Sequence, residues 1–534
     1  MRSITRRHLL AGLTATGICS FSRRAKWEGD RRGAIVNNSS LLPELLPDSQ
    51  VVMEGIAPDW VKTLVMAEVR LETATPEGTF MAATRILDHY AEMGVNGLWI
   101  DPIYDRDDLD HNGYRNFGPN TLYPALVKTS NIDRGYSRVR SFVDEAHRRN
   151  IRIFFDIIVW GTSKQSPLIT SHPEFYVKIN GHFVSIWGGY KFNWNSEALK
   201  SWYKSVAVGL IQGTGADGFR VDLAPDVSGY YFEEVRHALY KRGHKIIVIS
   251  EMPNTRRNVF DFEQVGVTGW SEAPDYGNPA RLAEQIRKFG SSSAAAGGRT
   301  RDYLLRNNIV DVIKSGRGVG AAKMQQCGEG GTFRFYSSNL LDHDDKSEFA
   351  RGDRIRFAYS TLFAPFIPIW WIGAEWNNPK KEGIPCMYFN SIRWAEISRN
   401  KEFYEDIKRY IRIRRLYPRV FESFPASTRD ANIAKVQAMN GSIPNRLQSY
   451  ARFVDGTAIV IVPNTSRSTA DITIRPIYKH LGLSAMHRYD VTDLVTQKTL
   501  YRALKANSGA LEVTVTVAPR HLGVYLFSLA GKGK

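Results

Sequence analysis

Short apolar segments alternate with segments of helical spacing through most of the chain. The helical segments fall near residues 78–93, 136–149, 197–213, 231–242 and 400–416. The strand-like segments are residues 61–71, 95–103, 151–160, 219–223, 245–251, 332–341 and 366–375. Near-continuous apolar strands separated by helices are typical of a parallel sheet that helices cover on both faces. About eight such units between residues 51 and 424 predict a (β/α)8 TIM barrel of the α/β class. A doubly wound sheet is the alternative, but no glycine-rich phosphate loop follows the first strand.

Two segments interrupt this alternation, and a third pattern follows it. Residues 161–196, after the third strand, are rich in Gly, Trp, Tyr and His and predict a short loop-rich insertion. Residues 284–331 contain the run SSSAAAGG, which favours a flexible insertion. Beyond residue 425, short strands near 457–462, 470–474 and 511–517 predict a C-terminal all-β sandwich over residues 425–534.

The first 25 residues resemble a twin-arginine export signal. Residues 5–10 read TRRHLL, and a short apolar run over residues 9–21 follows them. This segment predicts a periplasmic or extracellular protein, with residues 26–50 as a polar leader. A frayed basic N-terminus is the alternative. No later stretch is long and apolar enough for stable membrane insertion.

Composition narrows the choice of partners. The net charge of +17 raises the question of nucleic acid, but the Lys and Arg residues are spread along the chain, so a nucleic-acid partner is not predicted. The three cysteines, Cys19, Cys327 and Cys386, give no disulfide framework and no metal-ligand spacing. A pairing of Cys327 with Cys386 stays open.

The stretch 215–224, GADGFRVDLA, carries the first candidate chemistry. Its strand alternates apolar residues with Arg220 and Asp222, so both polar side chains are expected on one face. A carboxylate beside a fixed guanidinium stays ionised, as a nucleophile at neutral pH requires. A purely structural ion pair is the alternative for this motif alone.

Further polar residues fall at or near the ends of other strands. Asp156 lies in the third strand, Glu251 ends the fifth, and His343 and Asp344 follow the segment 332–341, which is the seventh strand in a barrel of eight. The carboxyl ends of barrel strands form one face, where catalytic groups collect. Converging carboxylates with an arginine and a histidine are the groups that a glycosidase uses, since one carboxylate attacks and one carboxylic acid protonates the leaving oxygen. For each of these residues, a buried ion pair or a cap is the alternative.

These motifs together resemble those of glycoside hydrolase family 13, the α-amylase family. The resemblance covers roughly residues 55–530, and it depends on the order and spacing of the motifs more than on any one of them. The matching segments are GVNGLWIDPIYD, HNGY, FFDIIVW, GFRVDLA, VISEMPN, LLDHDD, WIGAEWN and PRHLGVYLF.

The resemblance implies a role for each matching residue. Asp222 would be the nucleophile, and Glu251 the general acid/base, kept protonated by burial until it is needed. Asp344 would stabilise the transition state by binding sugar hydroxyls, and Arg220 would hold Asp222 ionised.

Three further residues would line the subsite of the reacting sugar. His343 and Tyr114 would contact the sugar, Tyr114 by stacking, and Asp156 would organise the floor through Arg220 or Tyr114. An architectural role for Asp156 stays open.

The chain also departs from the family's motifs. The third strand ends in Val159 and Trp160 where the family usually has an asparagine and a histidine, so Trp160 is a candidate for an aromatic wall. Loss of that asparagine puts the family's usual calcium site in doubt, and no metal or other cofactor is predicted. Arg115 follows Tyr114 where the family usually has an aspartate.

The resulting functional expectation is an exported retaining glycoside hydrolase. It would cleave α-glucosidic bonds in malto-oligosaccharides or α-glucans by double displacement. One alternative is an α-transglycosidase or sugar isomerase of the same family. Another is a carbohydrate-binding protein that has lost catalysis, against which the presence of Asp222, Glu251 and Asp344 argues.

Overall fold

The structure is a computed structural model of the chain, and its described residues lie in one compact unit within residues 35–534. The described ranges are 58–107, 113–222, 230–250, 262–265, 335–339, 354–362, 367–378, 391–422, 433–438, 449–464, 466–476, 478–481, 483–505 and 509–531. The predicted signal, the leader and the 284–331 insertion lie outside these ranges.

Within the described ranges, eight parallel strands close into a barrel, which confirms the predicted fold class. Each strand pairs with its neighbours in chain order, and the eighth pairs with the first. The strands are Met66–Val69, Gly97–Ile100, Arg152–Ile158, Gly218–Asp222, Ile247–Ser250, Phe262–Val265, Phe335–Asn339 and Ile367–Trp371. The first strand is shorter than predicted, because a 3-10 turn, Asp59–Thr63, precedes it.

Helices pack around the barrel, and three of the longer ones begin at side-chain caps. Thr79, Asn131 and Ser196 each accept a hydrogen bond from a backbone N–H in the first turn, which satisfies a donor that the helix itself cannot pair. The longer helices are Phe80–Met93, Ile132–Arg148, Glu197–Thr214, Tyr230–Tyr240, Arg354–Leu362 and Lys401–Leu416. Short helical turns are Leu71–Ala74, Pro124–Val127, Leu168–Ser171, Pro173–Phe175, Ala374–Trp376, Glu396–Arg399, Pro418–Phe421 and Tyr478–Leu481. In the described part of the chain, none of the helices has the length and apolar character that a bilayer crossing needs.

Strands one to four and the eighth are buried on both faces, which explains their largely apolar sequence. One apolar cluster joins the outward faces to the helices. A second cluster fills the barrel interior at one level, with Met66, Trp99, Phe154, Ile247 and Ile369 among its members. Because side chains alternate along a strand, Asp156 follows Phe154 on the same inward face. The interior therefore changes from apolar to polar towards the carboxyl ends of the strands.

The insertion after the third strand contains two small antiparallel sheets. Gly161–Ser163, Ser185–Ile186 and Gly189–Lys191 form one, and Lys178–Ile179 pairs with His182–Phe183 in the other. The sequence predicts an insertion at this point but not these strands, which have only two or three residues each.

The described residues after 432 form two antiparallel sheets that enclose one apolar core, as the predicted sandwich requires. The six-stranded sheet comprises Ile433–Lys435, Tyr450–Val454, Thr457–Asn464, His521–Leu529, Arg488–Asp493 and Lys498–Lys505. The three-stranded sheet comprises Gln437–Ala438, Ala470–Arg475 and Val513–Val517.

Candidate active site

The fourth strand directs Arg220 and Asp222 to the barrel interior, as its alternation predicts. Its first residue, Gly218, lies so close to the fifth strand that an added Cβ would stand 1.8 Å from the carbonyl oxygen of Ile247. A side chain at residue 218 would therefore push the two strands apart. Across the other edge, Asp156 is in register with Arg220 and Ile158 with Asp222.

Arg220 links two carboxylates. Its Nη1 donates to Asp222 Oδ1 at 2.8 Å and to Asp156 Oδ1 and Oδ2 at 3.1 and 3.0 Å. The guanidinium is fully buried, and Asp222 is nearly so. Hydrogen bonds between ionised groups are short and strong, so these salt bridges fix the position of Asp222 and stabilise its carboxylate anion.

Asp156 gathers the donors around these salt bridges. Its Oδ2 accepts from Tyr114 OH at 2.8 Å and from Trp99 Nε1 at 3.0 Å. The Arg220 guanidinium also lies 4.6 Å from the centre of the Trp99 ring, within reach of a cation–π interaction. The contacts that the sequence predicts for Asp156, with Arg220 or with Tyr114, are both present. Trp99 is an additional member that the sequence reasoning missed, because the second strand is buried on both faces and its sequence does not distinguish inward from outward positions.

The other predicted site residues divide into two groups. Glu251, His343 and Asp344 lie outside the described residues. Trp160 follows the third strand and lies beneath the insertion, with 3% of its surface exposed. Its ring meets that of Trp187 edge to face, with the centroids 5.6 Å apart. The solvent-facing indole of this pair is therefore Trp187.

A second buried ionic group lies at the carboxyl ends of the first two strands. Glu72 accepts from Arg106 at 2.5 Å and lies 3.5 Å from Arg70. Burial alone would raise the pKa of Glu72, but the two arginines outweigh it and lower the pKa. Asp101 follows the second strand; burial raises its pKa well above the usual range, and the Arg70 charge offsets this only in part. The sequence reasoning assigned none of these four residues.

One group among the described residues has the composition of a metal site. Glu402, Asp406 and His521 bring potential ligand atoms within 4.8 Å of one another. However, Arg354 Nη1 lies 3.0 Å from Glu402 Oε1, 2.8 Å from Asp406 Oδ2 and 2.6 Å from His521 Nε2. The guanidinium thus supplies the positive charge there, and the residues do not fit a metal ion.

Comparisons with curated proteins find distant relatives. No family model matches the chain. It is 22% identical over 409 residues to a malto-oligosyltrehalose trehalohydrolase of Saccharolobus solfataricus, an alignment covering 68% of each protein. It is 23% identical over 250 residues to an α-amylase of Haloarcula japonica, covering 41% of this chain and 36% of that protein. A trehalose synthase/amylase of Mycobacterium tuberculosis is 24% identical over 242 residues, covering 36% of this chain and 38% of that protein.

Solved structures show the same fold at low identity. A maltogenic α-amylase of Thermotoga neapolitana matches with a TM-score of 0.64 at 16% identity, covering 88% of this chain and 99% of that one. An α-amylase of Geobacillus thermoleovorans, complexed with acarbose, matches with a TM-score of 0.62 at 12% identity and the same coverage. These neighbours establish the architecture alone.

Proposed function

We propose that this chain, a member of glycoside hydrolase family 13 (the α-amylase family), is a retaining α-glycosidase that cleaves malto-oligosaccharides or α-glucans. The observation that carries the proposal is a pair of buried salt bridges, in which Arg220 contacts both Asp156 and Asp222 near the carboxyl ends of the barrel strands. They hold a carboxylate in the interior of the barrel, at the face where barrel enzymes do chemistry. The relatives named as trehalohydrolase and amylase support an α-glucan substrate.

The proposed reaction is a double displacement. An Asp222 carboxylate oxygen attacks the anomeric carbon, the glycosidic bond breaks, and the leaving oxygen takes a proton from the Glu251 carboxylic acid. Water then attacks the anomeric carbon of the glycosyl-enzyme, Glu251 takes a proton from it, and the bond to Asp222 breaks. Two inversions at the same carbon retain its configuration. In this proposal Asp344 binds the hydroxyls of the reacting ring.

The described residues support the first step through position and charge. An Asp222 carboxylate anchored at 2.8 Å by a buried guanidinium keeps one orientation, so little freedom is lost on reaching the transition state. Tyr114 is held by its hydroxyl to Asp156, which leaves its ring to stack on the sugar together with His343 in this proposal. Asp156 and Trp99 act through Arg220, as positioning residues.

A second candidate is an α-transglycosidase or sugar isomerase of the same family. It uses the same glycosyl-enzyme, but a sugar hydroxyl takes the place of water. The similarity to a trehalose synthase/amylase favours this candidate. For either activity we propose export through the twin-arginine-type segment, residues 1–25, to the periplasm or the medium.

The test is product analysis of the purified protein on maltose, malto-oligosaccharides, trehalose, sucrose and soluble starch. Asp222→Asn should lower turnover by about 10⁴-fold or more, whereas Asp133→Asn, at an exposed helix terminus, should leave it unchanged. Proton NMR of the first product should show the α-anomer. Longer or isomeric sugars would assign the transferase. Binding without turnover by the unaltered protein would overturn the enzyme in favour of a carbohydrate-binding protein.

A further inference from the structure

Three hairpins in the described chain are closed by two-residue turns of the same backbone type. The turns are Asn180–Gly181, Asp455–Gly456 and Trp187–Gly188, and both residues of each have a positive φ. The first residue has φ 51, 46 and 44°, respectively. This geometry favours Asn-Gly and Asp-Gly, because a short polar side chain tolerates the left-handed region. Two turns follow that rule, and the third has a tryptophan.

A bulky side chain at this position is unfavourable for the backbone. A residue held in the left-handed region without being Gly, Asn or Asp is strained, and such strain collects at functional sites. The neighbouring turn in the same insertion, Asn180–Gly181, adopts this geometry with the favoured asparagine. Trp187 nevertheless has 46% of its surface exposed, so burial in a core does not offset the strain.

Two groups fix the orientation of the Trp187 hairpin. The Trp160 ring lies against the hairpin backbone, where a Cβ on Gly189 would stand 2.8 Å from its Cη2. The same ring meets Trp187 edge to face. On the other side, a Cβ on Gly188 would stand 2.9 Å from Nη1 of Arg115. The Trp187 indole therefore packs against the Trp160 ring, while much of its surface is open to solvent.

Both supports are chain neighbours of the candidate active site. Trp160 comes two residues after Ile158, which is in register with Asp222. Arg115 directly follows Tyr114, whose hydroxyl donates to Asp156. The hairpin thus overlies the same end of the barrel as the Arg220–Asp222 pair.

We infer that Trp187 is a sugar-stacking residue that binds a glucosyl ring of the substrate outside the reacting one. A flat, solvent-facing indole offers the apolar surface that the C–H face of a pyranose covers. The inference rests on the proposed function, since it requires an oligosaccharide that extends beyond the ring at Asp222. It makes Trp187 a determinant of chain-length preference and not a catalytic residue.

The test measures binding of maltose and maltohexaose by titration calorimetry, in the Asp222→Asn background so that the sugars survive. Trp187→Asn should weaken maltohexaose binding by about tenfold and leave maltose binding within about twofold. The matched control is Ile179→Asn, which removes an exposed apolar side chain from the neighbouring hairpin without touching Trp160. Trp187→Phe should retain part of the affinity for maltohexaose.

Stability separates this role from a structural one. Because asparagine suits the turn, Trp187→Asn should melt at the same temperature as its parent or higher. Equal maltohexaose binding by Trp187→Asn and Ile179→Asn would overturn the inference. So would a lower melting temperature together with equal losses for both sugars, because the indole would then only support the hairpin. Failure of every variant, the Asp222→Asn parent included, to bind either sugar would overturn the proposed function and this inference with it.

Discussion

The substitution Asp156→Asn tests how the buried charges hold the active site. The carboxylate is fully buried and accepts from Tyr114, Trp99 and Arg220 at 2.8–3.1 Å. An asparagine oxygen in the place of Oδ2 keeps Tyr114 and Trp99 as donors. Its amide nitrogen then takes the place of Oδ1, where it meets Arg220 Nη1 as donor against donor. The substitution therefore removes one charge and creates one repulsive contact, with little change of shape.

The loss of stability in Asp156→Asn depends on the charges that remain around Arg220. Removing one partner of a buried ion pair costs about 3–5 kcal/mol, since the other charge is left uncompensated. Here Asp222 still lies 2.8 Å from Arg220, so we expect the lower end, about 3 kcal/mol. Tyr114→Phe removes a single donor to the same carboxylate and should cost about 1.5 kcal/mol.

The assay is denaturant unfolding of the two single variants and of the double variant. Because Tyr114 loses its charged acceptor in Asp156→Asn, the double variant should lose less stability than the sum of the two, by about 1 kcal/mol. Asp133→Asn serves as the exposed control. An Asp156→Asn variant as stable as this control would refute the reasoning, and strict additivity would refute the shared hydrogen-bond network.

Two further predictions concern the rest of the chain. The hydrogen bond with Asp406 raises the pKa of His521 against the effect of burial, so its stabilisation is complete below pH 6.5 and is lost as the pH rises through the raised pKa. Burial would raise the pKa of Asp406, but His521 and Arg354 lower it, so its stabilisation is present above pH 3.8 and is lost as the pH falls through the lowered pKa. The melting temperature should therefore be highest between pH 3.8 and 6.5. In His521→Gln, the stability lost between pH 6 and 8 should be smaller than in the parent by about 1 kcal/mol. Identical dependence of stability on pH in the variant and the parent would contradict this. For export, replacing Arg6 and Arg7 by lysine keeps the charge but removes the twin arginines, so cell fractionation should find the variant in the cytoplasm; an unchanged periplasmic yield would exclude this route.

The elements that the sequence predicts are those with strong local patterns. The third strand is seven residues long and almost entirely apolar, so its position follows from the sequence. The sixth strand, Phe262–Val265, reads FEQV and was not among the predicted segments. Four residues with two polar ones give no periodicity to detect, and this strand exists because its neighbours on both sides pair with it. Pairing with the fifth and seventh strands therefore defines the sixth strand, which its own sequence does not predict.

The same distinction applies to the site. Alternation predicts that Arg220 and Asp222 share a face, because both lie on one strand. It does not predict that Trp99 donates to Asp156, 57 residues away, since that contact depends on the register between two strands. The face to which a side chain points is set within its own strand, whereas its hydrogen-bond partner depends on how the strands pair in the closed sheet.

The predicted aromatic wall of the sugar site, Trp160, also depends on contacts that the local sequence does not specify. The sequence suggests Trp160, because it stands at the end of the third strand where the family has a histidine. The structure covers Trp160 with the hairpin and presents Trp187, 27 positions later, to solvent. The two positions are brought together by strands of two or three residues, which are too short to leave a pattern. The sequence does carry one local signal, a Trp-Gly pair at a two-residue turn where Asn-Gly is expected. Under the proposed role of Trp187, the substrate contact in the insertion is a residue that opposes the preference of its own backbone and not one that stands at a strand end.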